Sequence, residues 1–336
     1  MTKPLFSISI LNWNGKHLLK KCIESALKQT YKPIEVILVD NGSIDGSVEF
    51  VKKHFGKKVK IIHFNENKGY SKGHNAGFEK SQGKWVALMS NDVILDKNWV
   101  SAIMQTAQKE PNAGVIGSHG YFKNLSEPVN GNYMDILGIL APCNNKQVNS
   151  LMTVAGGVFA VNKKYFDKPY DEDYFIYGDE GFLGMRTLLK NKKNIVCLNT
   201  NYQFQGTGSE GTAKLKEKTV FLSERNNLLN FLRFLSIKTM ILLLPIIAIH
   251  YITSRILNLI LRGKWSYLKW RINAWLWILM NVPKILEKRR KSQSEKTTSD
   301  KKLFELFVSI SPNEIKQQNI MAKLFQKYLK LIYSLI

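Results

Sequence analysis

The chain has 336 residues, with 49 Lys and Arg against 26 Asp and Glu, so its formal net charge is +23. Hydrophobic residues make up 44% and aromatic residues 11%, which are globular values and exclude wholesale disorder. The three cysteines lack CxxC spacing, which excludes a zinc ribbon or a disulfide scaffold. The first residues lack the pattern of a signal peptide, so we expect a cytoplasmic protein.

The first 120 residues predict alternating strands and helices. Short β-branched apolar runs alternate with segments whose apolar residues recur at helical spacing. The predicted strands are Ser7–Leu11, Ile34–Val39, Val59–Phe64, Trp85–Met89 and Val115–Gly117, and the predicted helices are His17–Gln29, Val48–Phe55, His74–Lys80 and Asn98–Lys109. Repeated βα units predict an α/β fold, with a mostly parallel sheet, helices on both faces and a ligand site beyond the carboxyl ends of the strands.

The pattern changes after these units. Residues 121–150 are rich in Asn, Gly and Pro and predict an irregular insert on the acceptor side, before a strand at Thr153–Val161, a helix at Asp179–Lys190 and a strand at Asn194–Leu198. We expect a catalytic domain over 1–235 and hydrophobic, membrane-contacting helices over 236–292. Residues 293–336 are expected to contain the end of a polar linker, which begins at Lys288, and a last amphipathic helix.

Two common nucleotide-binding motifs are missing. The sequence contains no GxxxxGK[ST] phosphate loop, and NWNG rather than GxGxxG follows the first strand. ATP hydrolysis through a phosphate loop and a dinucleotide dehydrogenase are therefore disfavoured.

Acidic residues instead follow the strands. Asp40 ends the second strand and Asp92 follows the fourth, where one carboxylate could hold a divalent cation whose other ligands are diphosphate oxygens and water. Each Asp alone is better explained as a helix cap or turn residue, but the two together, at successive strand ends, favour a site. Asp179 and Glu180 begin a predicted helix. Adjacent carboxylates there suit a general base, and they also suit an ordinary acidic first turn.

The sequence resembles the family 2 glycosyltransferases, in particular a rhamnosyltransferase-like branch. Seven segments occur in the order and spacing of that family: SISILNWNG, VILVDNGSIDGS, NENKGYSKGHNAGF, WVALMSNDV, AGGVFAVNKKYF, FIYGDEGFLGMR and SERNNLLNFL. The resemblance covers about residues 5–235. It implies a GT-A fold and transfer of a sugar from a nucleotide-sugar donor, with inversion at the anomeric carbon.

The resemblance also implies roles for individual residues. Asp40 would bind the donor base and Asp92 the Mn²⁺ or Mg²⁺ on the diphosphate, while Glu180, or its neighbour Asp179, would be the catalytic base. The remaining donor-side residues would be Asn12, Trp13, Asn14, Gly73, Asn75 and Asn91, and the acceptor-side residues would be Gly156 and Gly157.

Three positions depart from the family pattern. Ser90-Asn91-Asp92 stands where many members have DxD, Phe182 replaces a second Asp after the acidic pair, and Phe204 stands where a His precedes Gly-x-Gly-Ser. These departures predict weaker metal binding or a pocket that is filled differently.

The C-terminal region is the most basic part of the chain. Residues 236–336 carry 18 basic and 5 acidic side chains, against 31 and 21 in residues 1–235. Trp, Leu and Ile among these charges favour an anionic membrane surface as partner over nucleic acid, for which no module signature is present. The alternative is that the apolar helices pack against the catalytic domain.

The sequence therefore predicts an inverting glycosyltransferase that acts on a lipid-linked or polysaccharide acceptor at the cytosolic membrane face. One alternative is a sugar-phosphate nucleotidyltransferase on a similar sheet. The other is a catalytically degenerate binding or scaffold member of the same fold, suggested by Phe182 and Phe204.

Overall fold

The computed structural model describes residues 3–122, 127–134, 140–143, 151–154, 156–206, 216–250, 252, 260, 263, 265–304, 306 and 320–336. The chain forms two compact units. The first is drawn from residues 1–132, 142–176 and 192–215, and the second from residues 133–141, 177–191 and 216–336. The functional division predicted at residues 235 and 292 stays a prediction.

The first unit contains an eight-stranded sheet that is mostly parallel. Its order is β3-β2-β1-β4-β10-β6-β11-β5, and only β10 and β5 run against the other strands. The strands along the described chain are β1 (Phe6–Asn12), β2 (Ile34–Asp40), β3 (Lys60–His63), β4 (Trp85–Ser90), β5 (Val93–Leu95), β6 (Ala113–Tyr121), β7 (Gly131–Met134), β8 (Leu140–Cys143), β9 (Thr153–Val154), β10 (Val158–Asn162) and β11 (Lys193–Phe204). This sheet confirms the predicted α/β class.

Helices cover both faces of this sheet because alternate residues of a strand point to opposite sides. The helices of the first unit are α1 (Lys16–Leu27), α2 (Ser47–Phe55), α3 (Tyr70–Lys80) and α4 (Trp99–Lys109). Phe6, Ile8 and Ile10 of β1 belong to one buried core with residues of α1, α2 and α4. Leu11 belongs to a separate cluster on the other face, with Tyr70 of α3 packed against it.

Small residues let α3 lie close to the sheet. A Cβ on Gly77 would lie 1.9 Å from Ser9 Oγ, and a Cβ on Gly73 would lie 2.4 Å from a methyl carbon of Leu11. Real Cβ atoms do not approach other atoms so closely, so a larger residue at either position would displace the Ser9 or Leu11 side chain or move the helix away. The Gly-rich segment after β3 is therefore a packing surface as well as a turn.

The second unit is helical. Its helices are α5 (Asp179–Leu189), α6 (Lys216–Phe234), α7 (Ile237–His250), α8 (Trp265–Met280), α9 (Val282–Ser294), α10 (Lys301–Phe304) and α11 (Ile320–Leu335). Helix α6 packs on α5, α8 and α9. The part of the last predicted helix that precedes Ile320 lies outside the described residues.

The segment from Lys288, predicted as a polar linker, is helical as far as Ser294. Its polar side chains bind the carboxyl end of α6: Arg289 Nη1 donates to the carbonyl oxygens of Leu232 and Leu235 at 2.5 and 2.7 Å, and Gln293 Nε2 donates to that of Phe234 at 2.9 Å. The linker prediction is therefore wrong over these residues. They donate to the last carbonyl groups of α6, which have no partners within their own helix. A positive charge near them is also favourable.

Other predicted elements differ mainly at their ends. The strand predicted over Thr153–Val161 is two strands, β9 and β10, and β11 continues beyond Leu198 to Phe204. Part of the predicted insert lies outside the described residues, and β7 and β8 lie within it. Among the described helices, none combines the length and apolar character needed to cross a membrane.

Candidate active site

The carboxyl ends of β1, β2 and β4 form the first part of the candidate site. Asn12 is the register partner of Asp40 on β2, and Leu11 is the partner of Ser90 on β4. This register brings together Asn12, Asp40 and the Ser90–Asp92 segment, which the sequence places more than 25 residues apart. The edge of the sheet is thus polar where the strand order makes it a site for a ligand.

Asn12 connects these strand ends by hydrogen bonds. Its Nδ2 donates to Asp40 Oδ2 at 2.9 Å and to Ser43 Oγ at 3.2 Å, and its Oδ1 accepts from Asn91 Nδ2 at 2.7 Å. Asn12 itself is fully buried. Because an amide has both donors and an acceptor, Asn is suited to bridge a carboxylate on one strand and an amide on another.

Asp40 lies beneath this surface rather than on it. Its side chain is 0% exposed, and its Oδ1 accepts from the backbone N–H of Ser43 at 3.0 Å and contacts His63 Nδ1 at 3.1 Å. The Asp40 carboxylate therefore contacts three residues, Asn12, Ser43 and His63. Its predicted contact with the donor base stays a prediction.

The NWNG segment, residues 12–15, lies beside the loop that follows Asp40. Asn14 has a φ of 49°, its N–H donates to Ser43 Oγ at 2.9 Å, and its Oδ1 accepts from the N–H of Ile44 at 2.9 Å. Trp13 is partly exposed. A Cβ on Gly15 would lie 2.0 Å from Asn91 Nδ2, so a larger residue there would displace the Asn91 side chain.

Asp92 lies in the turn between β4 and β5 and is 8% exposed. Its carbonyl oxygen accepts from the N–H of Gln205 at 2.7 Å, which fixes the turn beside the end of β11. The nearby Cys22 thiol has a pKa well above its ordinary value, raised first by burial and then by the charge of Asp92.

The predicted role of Asp92 as the single carboxylate ligand of a divalent cation stays a prediction. Among the described residues, no group of three or more His, Cys, Asp and Glu side chains could hold a metal ion. One carboxylate is nevertheless a sufficient protein share for Mg²⁺ on a diphosphate, since phosphate oxygens and water fill the other positions. The Asn91 amide is used by Asn12.

Gly73 and Asn75 lie on α3 and make packing contacts. The Asn75 amide is buried, donates to the carbonyl oxygen of Tyr170 at 3.0 Å and accepts from its N–H at 3.1 Å. The structure thus uses this amide to hold the segment that follows β10. The donor-side roles predicted for Gly73 and Asn75 stay predictions.

Gly156 and Gly157 precede β10, next to β4 and an aromatic cluster. The carbonyl oxygen of Gly157 accepts from the N–H of Ser90 at 3.0 Å, and its N–H donates to the hydroxyl of Tyr202 at 3.2 Å. A Cβ on Gly157 would lie 2.5 Å from the Phe204 ring, which also stacks on Phe122 with ring centroids 4.3 Å apart. Phe204 therefore fills, with an apolar ring, the position for which the resemblance implies histidine.

The acidic pair belongs to the second unit. Asp179 and Glu180 form the first turn of α5, which begins after Gly178, and the φ of 72° at Gly178 favours glycine. Burial is the main cause that raises the pKa of both carboxyls, to about 6 for Asp179 and about 8 for Glu180, and the charge of Asp179 adds to the shift of Glu180. Raised carboxyl pKa values suit a group that accepts a proton near neutral pH.

Phe182 takes a structural place on the same helix. It is buried, its ring lies 5.1 Å from that of Phe234, and the guanidinium of Arg233 lies 4.8 Å from its centroid. An aspartate at this position would lose these ring contacts. The departure from the family pattern is thus matched by aromatic packing within the second unit.

His63 and Ser43 are site residues that the sequence reasoning missed. Both bind groups at the carboxyl edge: Ser43 binds Asn12 and Asn14, and His63 contacts Asp40. A signal for His63 existed, because it lies near the end of the predicted strand Val59–Phe64 and the ends of parallel strands meet at one edge.

Comparison with known proteins agrees with this architecture. Residues 7–168 match the model of a family described as Glycosyl transferase family 2. The chain is 27% identical over 212 residues to Glycosyltransferase GlyG of Streptococcus pneumoniae serotype 4, a match that covers 59% of this chain and 69% of that protein.

Two solved structures share the fold. The crystal structure of S. aureus TarS 1-349 superposes with a TM-score of 0.52 and 15% identity, covering 98% of this chain and 88% of that one. The structure of GalNAc-T7 with UDP, GalNAc and Mn²⁺ gives a TM-score of 0.54 and 16% identity, covering 68% of this chain and 47% of that one. This chain therefore spans less than half of GalNAc-T7, and the likeness confirms the GT-A fold alone.

Proposed function

We propose that this protein transfers a sugar from a nucleoside-diphosphate sugar to an acceptor hydroxyl, with inversion, since residues 7–168 match the model of glycosyl transferase family 2. The observation that carries the proposal is the polar edge at the ends of β1, β2 and β4, where Asn12 connects Asp40 to Asn91, the neighbour of Asp92. In a parallel α/β sheet such an edge is where nucleotides bind.

The first unit would hold the donor. Asn14 and Trp13 would line the nucleotide pocket, with Asn12 and Asp40 holding its wall. Asp92 would hold Mn²⁺ or Mg²⁺, and the cation, when bound, neutralises the charge of the leaving diphosphate. The GalNAc-T7 structure contains UDP and Mn²⁺, which supports a nucleotide donor and a divalent cation for this chain. dTDP-rhamnose and UDP-hexoses are the donors we propose.

The acidic pair would supply the base. Glu180, or its neighbour Asp179, would take the proton of the acceptor hydroxyl, a contribution worth about 10²- to 10⁴-fold in rate. The pKa of Glu180, raised to about 8 by burial and by Asp179, supports this role, since a base whose pKa lies near the working pH transfers protons efficiently.

The second unit would contact an anionic membrane at its cytosolic face, where a lipid-linked or polysaccharide acceptor would be met. Helices α7 and α8 expose large apolar side chains, among them Ile241, Trp265 and Leu279, each more than 60% exposed. Lys269 and Lys284 are exposed as well. Apolar side chains beside cations are typical of surfaces that lie in an anionic interface, where each cation adds about 1 kcal/mol.

Flotation tests the membrane contact. The full chain should float with vesicles that contain phosphatidylserine, and replacement of Ile241, Trp265 and Leu279 by Ser should reduce flotation. Ile44→Ser, at a residue that is 93% exposed in the first unit, is the matched control and should float like the original protein. Equal flotation of all three proteins would contradict the contact.

A donor screen tests the activity and its alternatives. Each nucleotide sugar is incubated with Mn²⁺, and release of nucleoside diphosphate is measured. A glycosyltransferase releases nucleoside diphosphate from one donor class. A nucleotidyltransferase instead consumes nucleoside triphosphate and sugar phosphate and releases pyrophosphate, and a scaffold member does neither. The aromatic packing of Phe182 and Phe204 is the observation that keeps the scaffold alternative in view.

A further inference from the structure

We propose that Asn226 and Asn230 of α6 are positioning residues for the acidic pair, Asp179 and Glu180. Their side-chain amides bind the two peptide carbonyl groups that precede the pair and thereby fix where its carboxylates lie. The inference rests on the proposed function, because it assumes that one of these carboxylates is the base. It gives the buried amides of α6 a part in catalysis as well as in packing.

The turn before α5 has a backbone conformation that needs support. Tyr177 has a φ of 68° and Gly178 a φ of 72°, so both residues lie in the left-handed region. Glycine adopts this conformation readily, but a residue with a side chain does so only where its surroundings hold it there. The conformation of Tyr177 therefore depends on contacts with other parts of the fold.

Two amides of α6 supply such contacts. Asn226 Nδ2 donates to the carbonyl oxygen of Tyr177 at 2.6 Å, and Asn230 Nδ2 donates to that of Gly178 at 2.9 Å. Residues four apart lie on the same face of a helix, so one face of α6 binds two successive carbonyl groups. A Cβ on Gly178 would lie 2.7 Å from the Cβ of Asn226, which shows how closely α6 approaches this turn.

The burial of these amides indicates a role beyond packing. Asn226 is 0% exposed and Asn230 is 1% exposed. A buried amide is costly unless it is hydrogen-bonded, and apolar side chains would serve better if α6 only packed against α5. The Asn226 amide is also oriented, because its Oδ1 accepts from Arg225 Nε at 2.9 Å and its Nδ2 then faces the carbonyl group of Tyr177.

The position of the acidic pair follows from this turn. The Asp179 carboxylate accepts hydrogen bonds from the backbone N–H groups of Tyr177 and Glu180. The carbonyl oxygen of Gly178 also accepts from the N–H of Phe182 at 2.9 Å, which joins the turn to α5. Within the part of the chain that the structure describes, the Glu180 side chain makes no hydrogen bond. Glu180 therefore lies where the backbone of the turn places it.

The first test measures the pH dependence of stability, which needs no substrate. Burial and the charge of Asp179 raise the pKa of Glu180 to about 8, so the free energy of unfolding should fall between pH 5 and 8. In Asn230→Leu the turn loses a contact and the carboxyl can reach water. The fall should then be at most about half as large as in the original chain.

Thr187→Val is the matched control for this measurement. Thr187 is buried on α5, and its Oγ1 donates to the carbonyl oxygen of Leu183 at 2.7 Å. The substitution removes one side-chain donor beyond the first turn of the helix. It should change the free energy of unfolding by the same amount at every pH and leave its fall between pH 5 and 8 as in the original chain.

The second test separates catalysis from folding. The release of nucleoside diphosphate is measured with the nucleotide sugar that the donor screen selects, and the rate is expressed per molecule that binds this diphosphate in calorimetry. In Asn230→Leu, kcat should fall at least about tenfold, because a base displaced by about 1 Å accepts the proton poorly. The KM for the donor should stay within about twofold, since the proposed donor residues lie in the first unit. Thr187→Val should keep both constants.

Two further variants guard against a local packing defect. Asn230→Ala removes the same donor without adding volume, and Asn226→Leu removes the other donor, so both should lower kcat as Asn230→Leu does. Equal loss of kcat in Thr187→Val would overturn the inference, because any weakening of α5 would then suffice. If the original chain cleaves no nucleotide sugar, the proposed function fails. If it cleaves one and the asparagine variants keep its kcat and its pH dependence, the inference alone fails.

Discussion

Replacing Asn12 by Ala should destabilise the first unit and weaken donor binding together. The side chain makes three hydrogen bonds, two of them to the buried partners Asp40 and Asn91. Leaving a buried polar group without its partner costs about 1–3 kcal/mol, so two such groups should cost about 4 kcal/mol of unfolding free energy. With a urea m-value of about 2 kcal/mol/M, the midpoint should fall by about 2 M.

A urea titration monitored by hydrogen exchange of peptides from β1 and β2 measures this loss of unfolding free energy in the first unit itself. The UDP affinity should fall at least tenfold, since Asn12 holds both the Asp40 wall and the Asn91 turn in place. Asn98→Ala is the matched control, because Asn98 is exposed and accepts one surface hydrogen bond from Thr30, and its effect should stay within about 0.5 kcal/mol. If Asn12→Ala is as mild as this control, the network does not stabilise the site.

The remaining predictions concern charge. The pKa of Glu180 is raised from 4.5 to about 8, so between these pH values the folded state holds a proton that the unfolded state releases. The free energy of unfolding should therefore fall as the pH rises from 5 to 8. In Glu180→Gln this fall should be smaller. The transfer rate should rise over the same pH range as the base ionises. Of Glu180→Gln and Asp179→Asn, the variant that stops transfer while sparing donor affinity identifies the base. Normal transfer rates in both variants would place the base elsewhere. Asp92→Asn should abolish metal-dependent turnover with an unchanged circular dichroism spectrum, and unchanged activity would remove Asp92 from the site. Glu295→Gln should lower the free energy of unfolding by about 1–3 kcal/mol in a denaturant titration. The reason is that Glu295 binds Arg186 of α5 at 2.8–3.0 Å and both side chains are largely buried. A change below 0.5 kcal/mol would show that this ion pair does not hold α5.

The departures at Phe182 and Phe204 gain a physical meaning from their surroundings. Each ring packs on a second ring, Phe234 or Phe122, and so contributes to the stability of its own unit. A carboxylate or imidazole there would lose that packing. The weaker metal binding that these departures predict stays a prediction.

The local elements and the polar strand ends could be predicted from the amino-acid sequence. Alternation of apolar residues has a period of two in strands and 3.6 in helices, so the βα units up to α4 could be assigned from residues that are near one another in the chain. Asp40 and Asp92 could be identified because they follow buried strands. The family resemblance supplied the roles, which composition and spacing could not.

Which polar groups meet depends on how the strands are ordered in the folded sheet. The hydrogen bonds of Asn12 to Asp40 and Asn91 span 28 and 79 residues of sequence, and no local pattern encodes such a pairing. The same holds for His63, whose place beside Asp40 follows from the order of β2 and β3 in the sheet. The residues from Lys288 were predicted to be a linker because they are polar. In the structure they bind the carboxyl end of α6, because its last carbonyl groups need hydrogen-bond donors and the fold brings these side chains close.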